Sequence, residues 1–216
     1  MNVLIVEDHP LTAAVYCNIL HDDKNTEWHT VIGLDCKQGY DAIITAKGNN
    51  KPFDLAIIDY SLPSYPDKKL FSGVDVALLI KKNFPDCKLL MITSHIEILI
   101  IYDLIRKINP HGLVTKNDIN TDNLYDIIND VLQGKLFKSP QIKACIKEVW
   151  TKDFIFDDYN RKILHYLSKG YRAKELEEVI NLSGSAIQNR ISKLKKAFNA
   201  KDDRELLRKV FEEKYL

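Results

Sequence analysis

The chain has 216 residues, of which 45% are hydrophobic and 28% are charged, and its formal net charge is +1. These values describe an ordinary soluble globular protein and favour two small domains over one. The four cysteines are far apart, without a C-x-x-C pair or a histidine spacing suited to zinc, so we expect reduced thiols in a cytoplasmic protein. No secretory signal is evident. The most apolar stretch, 89–108, carries four charged residues and predicts a strand followed by a helix, not a membrane span.

The charge is unevenly distributed along the chain. Residues 151–216 carry 15 Lys and Arg against 11 Asp and Glu, whereas residues 1–150 carry 16 against 19. A basic C-terminal module of this kind indicates an anionic partner.

Strand and helix patterns alternate through the first 133 residues. The predicted strands are 2–6, 30–34, 55–58, 88–93 and 112–116. A helix pattern follows each of them, over about 10–20, 40–48, 74–80, 96–108 and 122–132. Five such units predict a five-stranded, doubly wound parallel sheet with helices on both faces.

Polar residues stand at the ends of four of these strands. Glu7 and Asp8 follow the first strand, Asp59 ends the third, Thr93 ends the fourth, and Lys116 ends the fifth. Because the carboxyl ends of parallel strands lie along one edge of a sheet, we expect these side chains to converge there. Taken singly, each is a commonplace residue, such as a loop aspartate or an exposed lysine. Their combination in this order is much more specific.

This set of residues suits phosphoryl chemistry. Three crowded carboxylates repel one another unless a cation offsets their charge, and Mg²⁺ prefers oxygen ligands of this kind. A carboxylate such as Asp59 can attack a phosphoryl group to give an aspartyl phosphate. The ammonium of Lys116 would neutralise phosphoryl oxygens, and the hydroxyl of Thr93 would donate one hydrogen bond.

The first 133 residues closely resemble the receiver domain of two-component response regulators, which has a flavodoxin-like fold. The matching motifs are Glu7-Asp8-His9-Pro10, Asp59 with Leu62-Pro63, Thr93-Ser94 and Lys116. The resemblance implies that Asp59 accepts phosphate from a histidine kinase. It also implies that Asp8 binds Mg²⁺ directly, Glu7 through water, and Ser61 through its backbone carbonyl.

Two features depart from the receiver pattern. Leu113 occupies a position, three residues before Lys116, where the family usually has an aromatic residue that rotates on phosphorylation. A buried leucine would simply belong to the core. The loop 64–72 is longer than usual and alters the surface beside Asp59.

Residues 134–155 are predicted to be a linker that is partly helical. Pro140 can open a short helix with one apolar face. Because Trp150, Phe154 and Phe156 make the segment too apolar for a free linker, we expect it to pack on one of the domains.

Residues 156–216 predict a small all-α domain. Asp157 is a plausible N-cap for its first helix, and further helices are predicted over 173–180, 185–198 and 204–213. The tight turn 181–184 between the second and third helices is typical of a helix-turn-helix. The segment 183–201 has no acidic residue, and its cations are Arg190, Lys193, Lys195, Lys196 and Lys201. The opposite face of its helix is an apolar stripe, so a DNA-binding surface is predicted.

The stretch 156–206 resembles the LuxR-type DNA-binding domain, so the whole chain resembles a regulator of the NarL/FixJ type. The matching residues are Leu182-Ser183, Ile187, Asn189-Arg190-Ile191-Ser192, Leu194 and Glu205-Leu206. The resemblance implies that Gln188, Asn189 and Ser192 face the groove of double-stranded DNA, with the cations on its phosphates. It also implies a homodimer that reads two half-sites.

Three functions follow from these observations. The leading one is a transcription factor controlled by phosphorylation, whose own chemistry is limited to phosphotransfer and autodephosphorylation on Asp59. A phosphatase that uses Asp59 as nucleophile is disfavoured, because Ser61 stands where such enzymes have a second aspartate. A DNA-binding regulator independent of phosphate is kept open by Leu113.

A dimer contact is predicted on the helix 96–108. It contains more apolar residues than one buried stripe requires, so some of them are expected to face outward.

Overall fold

The computed structural model describes residues 1–150, 157–213 and 215–216, with the side chains of all of these except 147–150. They form two compact units. The first comprises Met1–Ile96 and Asp103–Lys143, and the second comprises Glu97–Tyr102 and Ala144–Leu216.

One parallel sheet organises the first unit. Within the described part of the chain its strands are β1 (Asn2–Val6), β2 (His29–Gly33), β3 (Leu55–Asp59), β4 (Lys88–Thr93), β5 (Gly112–Thr115) and β6 (Phe137–Lys138). Their order across the sheet is β2-β1-β3-β4-β5-β6, and all neighbours pair in parallel. The predicted α/β fold is therefore confirmed.

The sixth strand corrects the prediction of five. β6 pairs with β5 through only two residues, Phe137 opposite Gly112 and Lys138 opposite Leu113. A strand of two residues carries no recognisable apolar run. It forms because β5 offers it a free edge, which is a tertiary constraint.

Helices connect the strands and cover the sheet. They are α1 (Pro10–Asp22), α2 (Cys36–Gly48), α3 (Gly73–Asn83), α4 (Ile98–Lys107) and α5 (Thr121–Leu132). Every residue of β3 is buried, and so is all of β4 except Lys88. Burial on both faces explains why these strands are continuous apolar runs without alternation. No helix of the described chain is both long and apolar enough to cross a bilayer.

Helix α4 exposes less apolar surface than expected. Ile98, Ile101 and Leu104 are buried, and its remaining apolar residues are half-buried, so none of them is fully exposed. Ile98 is part of the buried core of the second unit, and Leu99 and Tyr102 pack against that core. The dimer contact on this helix stays a prediction.

Helix α6 (Pro140–Trp150) follows β6 and begins at the proline that the sequence indicated. Residues 134–143, assigned to the linker from the sequence, contribute β6 and the start of this helix to the first unit. The expected packing of Trp150, Phe154 and Phe156 lies outside the described side chains.

The second unit contains α7 (Asp158–Ser168), α8 (Leu176–Val179), α9 (Gly184–Ala197) and α10 (Asp203–Glu212). The predicted cap is present, because the Asp157 side chain accepts hydrogen bonds from the backbone N–H groups of Tyr159 and Asn160. Helix α8 is shorter than the predicted 173–180, since residues 173–175 form a turn. The buried core of these four helices includes Ile163, Leu164, Leu167, Leu176, Ile180, Ile187, Ile191, Leu194, Phe198, Leu206 and Val210.

Candidate functional site

The carboxyl edge of the sheet brings three of the predicted residues into direct contact. Asp59 is the last residue of β3, and Lys116 directly follows β5. The Lys116 Nζ lies 3.0 Å from Glu7 Oε1 and 3.2 Å from Asp59 Oδ2. One ammonium therefore bridges two carboxylates that come from different strands.

Asp59 is almost completely enclosed, with 3% of its surface exposed. Burial raises the pKa of its carboxyl group to about 6, and the negative charge of Glu7 adds to this effect. The ammonium of Lys116 works in the opposite direction without cancelling it. The carboxylate is thus less stable when ionised than an ordinary aspartate, which makes added positive charge favourable.

Lys116 keeps its proton in this setting. Burial works to lower its pKa, but the hydrogen bonds and negative charges of Glu7 and Asp59 outweigh burial and raise it. The side chain can therefore offer a fixed positive charge to an anion that reaches Asp59.

Two carboxylate oxygens of the acidic cluster have no hydrogen-bond partner in the described part of the chain. Glu7 Oε2 and Asp8 Oδ1 are shielded from solvent and have no hydrogen-bond partner among the described residues. His9 Nδ1 lies 2.7 Å from that Asp8 oxygen, which is the distance of an ion pair when the imidazole is protonated. Hydrogen bonding to Glu7, and then attraction by Asp8, raise the pKa of His9. Ligand atoms of these three residues lie within 4.8 Å of one another.

These donors fit a hard divalent cation. Buried carboxylate oxygens without partners are costly, and Mg²⁺ takes one or two carboxylates while keeping several waters. Glu7, Asp8 and Asp59 together carry more negative charge than Lys116 neutralises, so the residues present suit the Mg²⁺ that the sequence implied.

Thr93 is fully buried at the end of β4. Its Oγ1 accepts a hydrogen bond from the backbone N–H of His95 at 2.9 Å, and its own hydroxyl hydrogen can still be donated. Ser61 follows Asp59 by two residues, and its hydroxyl lies 3.2 Å from His95 Nε2.

Two residues near the site were missed at the sequence level. His95 contacts Thr93 and Ser61, and its ring packs edge-on against Tyr60 with centroids 5.0 Å apart. Tyr16 on α1 has a pKa raised by burial and by the charges of Glu7 and Asp59, which places it near the cluster. The strand-end rule could have identified His95, which follows Thr93 by two residues, but nothing local distinguishes Tyr16.

Leu113 is 1% exposed in β5. It is part of the core, as expected of a leucine at this position.

The long loop after Asp59 has its own structure. Tyr65 and Leu70 form an antiparallel bridge around a 3₁₀ turn, Pro66–Lys68, and the ring of Tyr65 packs on Tyr40. The loop ends at Gly73, where a Cβ atom would fall on the carbonyl oxygen of Asp59. A glycine is therefore required for α3 to begin this close to Asp59.

Helix α9 presents a polar face in the second unit. Its buried stripe is Ile187, Ile191 and Leu194, as the sequence predicted. The exposed residues among the predicted DNA contacts are Gln188, Asn189, Ser192, Lys193, Lys196 and Lys201.

Among the predicted DNA contacts, Arg190 and Lys195 each contact an acidic side chain of the same unit. Arg190 donates to Asp157 Oδ1 at 2.7 Å and to Asn160 Oδ1 at 2.9 Å, which ties α9 to the start of α7. Lys195 Nζ lies 3.0 Å from Asp203 Oδ1. Charge counting along the sequence could not identify the acidic partners of these two cations.

The raised pKa of Asp59 predicts a stability effect without divalent cations. Folding disfavours the ionised carboxyl, so this cost is absent below about pH 4 and complete above about pH 6. Because the pKa of this carboxyl group is raised to about 6, Asp59→Asn should raise the free energy of unfolding at pH 8 by up to about 3 kcal/mol. Urea unfolding in EDTA at pH 4 and pH 8 measures the difference in free energy of unfolding between the parent and Asp59→Asn. Asp67→Asn, on the exposed loop, is the control. An equal difference at both pH values would contradict the assignment.

No protein-family model matches the chain. The transcriptional regulatory protein RcsB of Escherichia coli K12 is 24% identical over 193 residues, which cover 88% of this chain and 84% of RcsB. The oxygen regulatory protein NreC of Staphylococcus carnosus is 22% identical over 228 residues, covering 100% and 99% of the two chains. A solved structure of two RcsB dimers bound to two parallel DNAs has a TM-score of 0.66 at 20% identity, covering 98% of each chain. The resemblance carried by the motifs is thereby confirmed, because the chain is similar along most of its length to the regulatory proteins RcsB and NreC and shares the fold of RcsB.

Proposed function

We propose that the chain is a DNA-binding transcription regulator of a two-component system, switched by phosphorylation of Asp59. The observation that carries this proposal is the Lys116 ammonium between Glu7 and Asp59, beside carboxylate oxygens that have no hydrogen-bond partner among the described residues. The homology to RcsB and NreC supports the same function.

In the proposed reaction an oxygen of Asp59 attacks the phosphorus of a phosphohistidine on a histidine kinase. The new O–P bond forms as the P–N bond breaks, and the imidazole of the donor leaves with the electron pair and takes up a proton. Lys116 holds positive charge next to the phosphoryl oxygens, and the Thr93 hydroxyl donates to one of them. Glu7, Asp8, Asp59 and the Ser61 carbonyl would hold Mg²⁺, which offsets charge on the phosphoryl group when bound. Later attack by water releases phosphate and restores Asp59.

In the second unit α9 is the proposed recognition helix. Gln188, Asn189 and Ser192 are exposed on it and can reach base edges, while Lys193 and Lys196 suit phosphates. The RcsB dimers seen on DNA support a homodimer with one α9 per half-site. We propose residues 1–133 as the receiver, 156–216 as the DNA-binding domain, and 134–155 as their connection.

A second candidate is a DNA-binding regulator that does not depend on phosphate. The buried Leu113 favours it, because a leucine has no ring to rotate between core and solvent. The two candidates differ in whether DNA affinity changes when Asp59 is phosphorylated, which a titration of phosphorylated and unphosphorylated chain distinguishes.

Phosphorylation is predicted at Asp59. Incubation with acetyl phosphate and Mg²⁺ should add about 80 Da, the mass of one phosphoryl group, because the buried carboxylate is the nucleophile. Mass spectrometry should find no adduct with Asp59→Asn, whereas Asp67→Asn should behave like the parent. An adduct of the same yield in the Asp59 variant would refute the assignment.

DNA binding is predicted to depend on Lys196. Because this exposed cation lies on α9, Lys196→Ala should lower the slope of log affinity against log salt by about 1 on duplex DNA. Lys195→Ala is the matched control, since the neighbouring ammonium is paired with Asp203 and its loss should change the slope less. Fluorescence anisotropy over a salt series measures both. Identical slopes for the parent and Lys196→Ala would contradict this surface.

A further inference from the structure

We propose that Asp118 and Gln141 couple the phosphoacceptor site to the start of α6, so that the state of Asp59 reaches the helix leading to the second unit. The inference rests on the proposed function, because it assigns a route for the signal from that site.

The start of α6 is held by residues at the end of β5. Gln141 is its second residue, so the backbone N–H has no partner within the helix. It donates instead to Asp118 Oδ2 at 3.0 Å. The Gln141 side-chain oxygen accepts a hydrogen bond from the Thr115 hydroxyl at 3.2 Å. The backbone N–H and the side-chain oxygen of this residue are therefore tied to the segment around Lys116.

A buried serine reinforces this attachment. Ser139 is 1% exposed, and its hydroxyl oxygen accepts a hydrogen bond from the Thr115 N–H at 3.3 Å. Burial works to raise the pKa of Asp118, but hydrogen bonds from Ser139 and the Gln141 N–H outweigh it and lower the pKa. Asp118 is therefore held as a carboxylate, and charged acceptors form the stronger hydrogen bonds.

Lys116 and Thr93, the two residues proposed to contact the phosphoryl group, each lie next to a residue of this hydrogen-bond network. Lys116 and Asp118 are the first and last residues of a single 3₁₀ turn, Lys116–Asp118, so one residue separates them along the chain. Thr93 pairs across the sheet with Thr115. Two routes therefore lead from the site to Gln141, one through the turn and one through the strand ends.

The direction of the effect follows from the contacts of Lys116. Its ammonium now binds Glu7 and Asp59, and a phosphoryl group on Asp59 adds oxygens that compete for it. A shift of Lys116 toward them displaces the turn and weakens the hydrogen bond between Asp118 and Gln141. Coupling is reciprocal, so removing that hydrogen bond must favour binding of the phosphoryl group.

The test is amide hydrogen exchange of Gln141 in the full chain, measured by NMR with and without Mg²⁺ and beryllium fluoride as the phosphoryl stand-in. We expect the exchange rate to rise roughly fivefold when the stand-in binds, the low end of measured couplings. Asp118→Ala should remove this change and bind the stand-in roughly fivefold more tightly.

Control variants separate coupling from loss of structure. Asp118→Asn keeps an oxygen for the Gln141 N–H and should restore most of the parent's response. Thr115→Val removes only the second route and should reduce the response. Asp122→Asn changes an exposed acid in the first turn of α5 and should leave it intact.

Phosphorylation by acetyl phosphate, measured separately by mass, distinguishes the two possible failures. Formation of the adduct with unchanged Gln141 exchange in the parent refutes the coupling alone. Equal affinity of the parent and Asp118→Ala for the stand-in refutes it as well. A parent that forms no adduct refutes the proposed function, and the coupling with it.

Discussion

The positive charge of Lys116 is the constraint on which the first unit's site depends. Its ammonium contacts Glu7 and Asp59, whose backbones belong to different parts of the sheet. Without it, buried carboxylates would face one another with no counter-charge, an arrangement that is costly to fold. With it, the cluster still carries surplus negative charge and has oxygen atoms without a hydrogen-bond partner in the described part of the chain. Lys116 therefore offsets part of the repulsion between the carboxylates, and a bound cation would stabilise the site further.

The convergence of Glu7, Asp59 and Lys116 could be predicted because it follows from topology. Apolar runs fix the strands, parallel strands share a carboxyl edge, and a residue at a strand end must lie on that edge. No side-chain detail was needed. The same reasoning predicted that Leu113, within a buried strand, belongs to the core.

The features that could not be predicted from the sequence depend on single contacts between residues that are distant along the chain. β6 is two residues long and exists only because β5 has a free edge. Arg190 looks like its basic neighbours on α9, but Asp157 and Asn160, about thirty residues earlier, determine where its guanidinium lies. Periodicity and charge counting cannot find such partners, because neither reports which elements meet in space.

We propose that the surplus carboxylate charge at this edge forms a divalent-cation site that serves Asp59. Calorimetric titration with Mg²⁺ at pH 8 tests it most directly, with the parent compared against Asp8→Asn and the loop control Asp67→Asn. We expect one Mg²⁺ per parent chain, an affinity weakened about tenfold or more in Asp8→Asn, and no change in the control. Equal affinity of the parent and Asp8→Asn would contradict it.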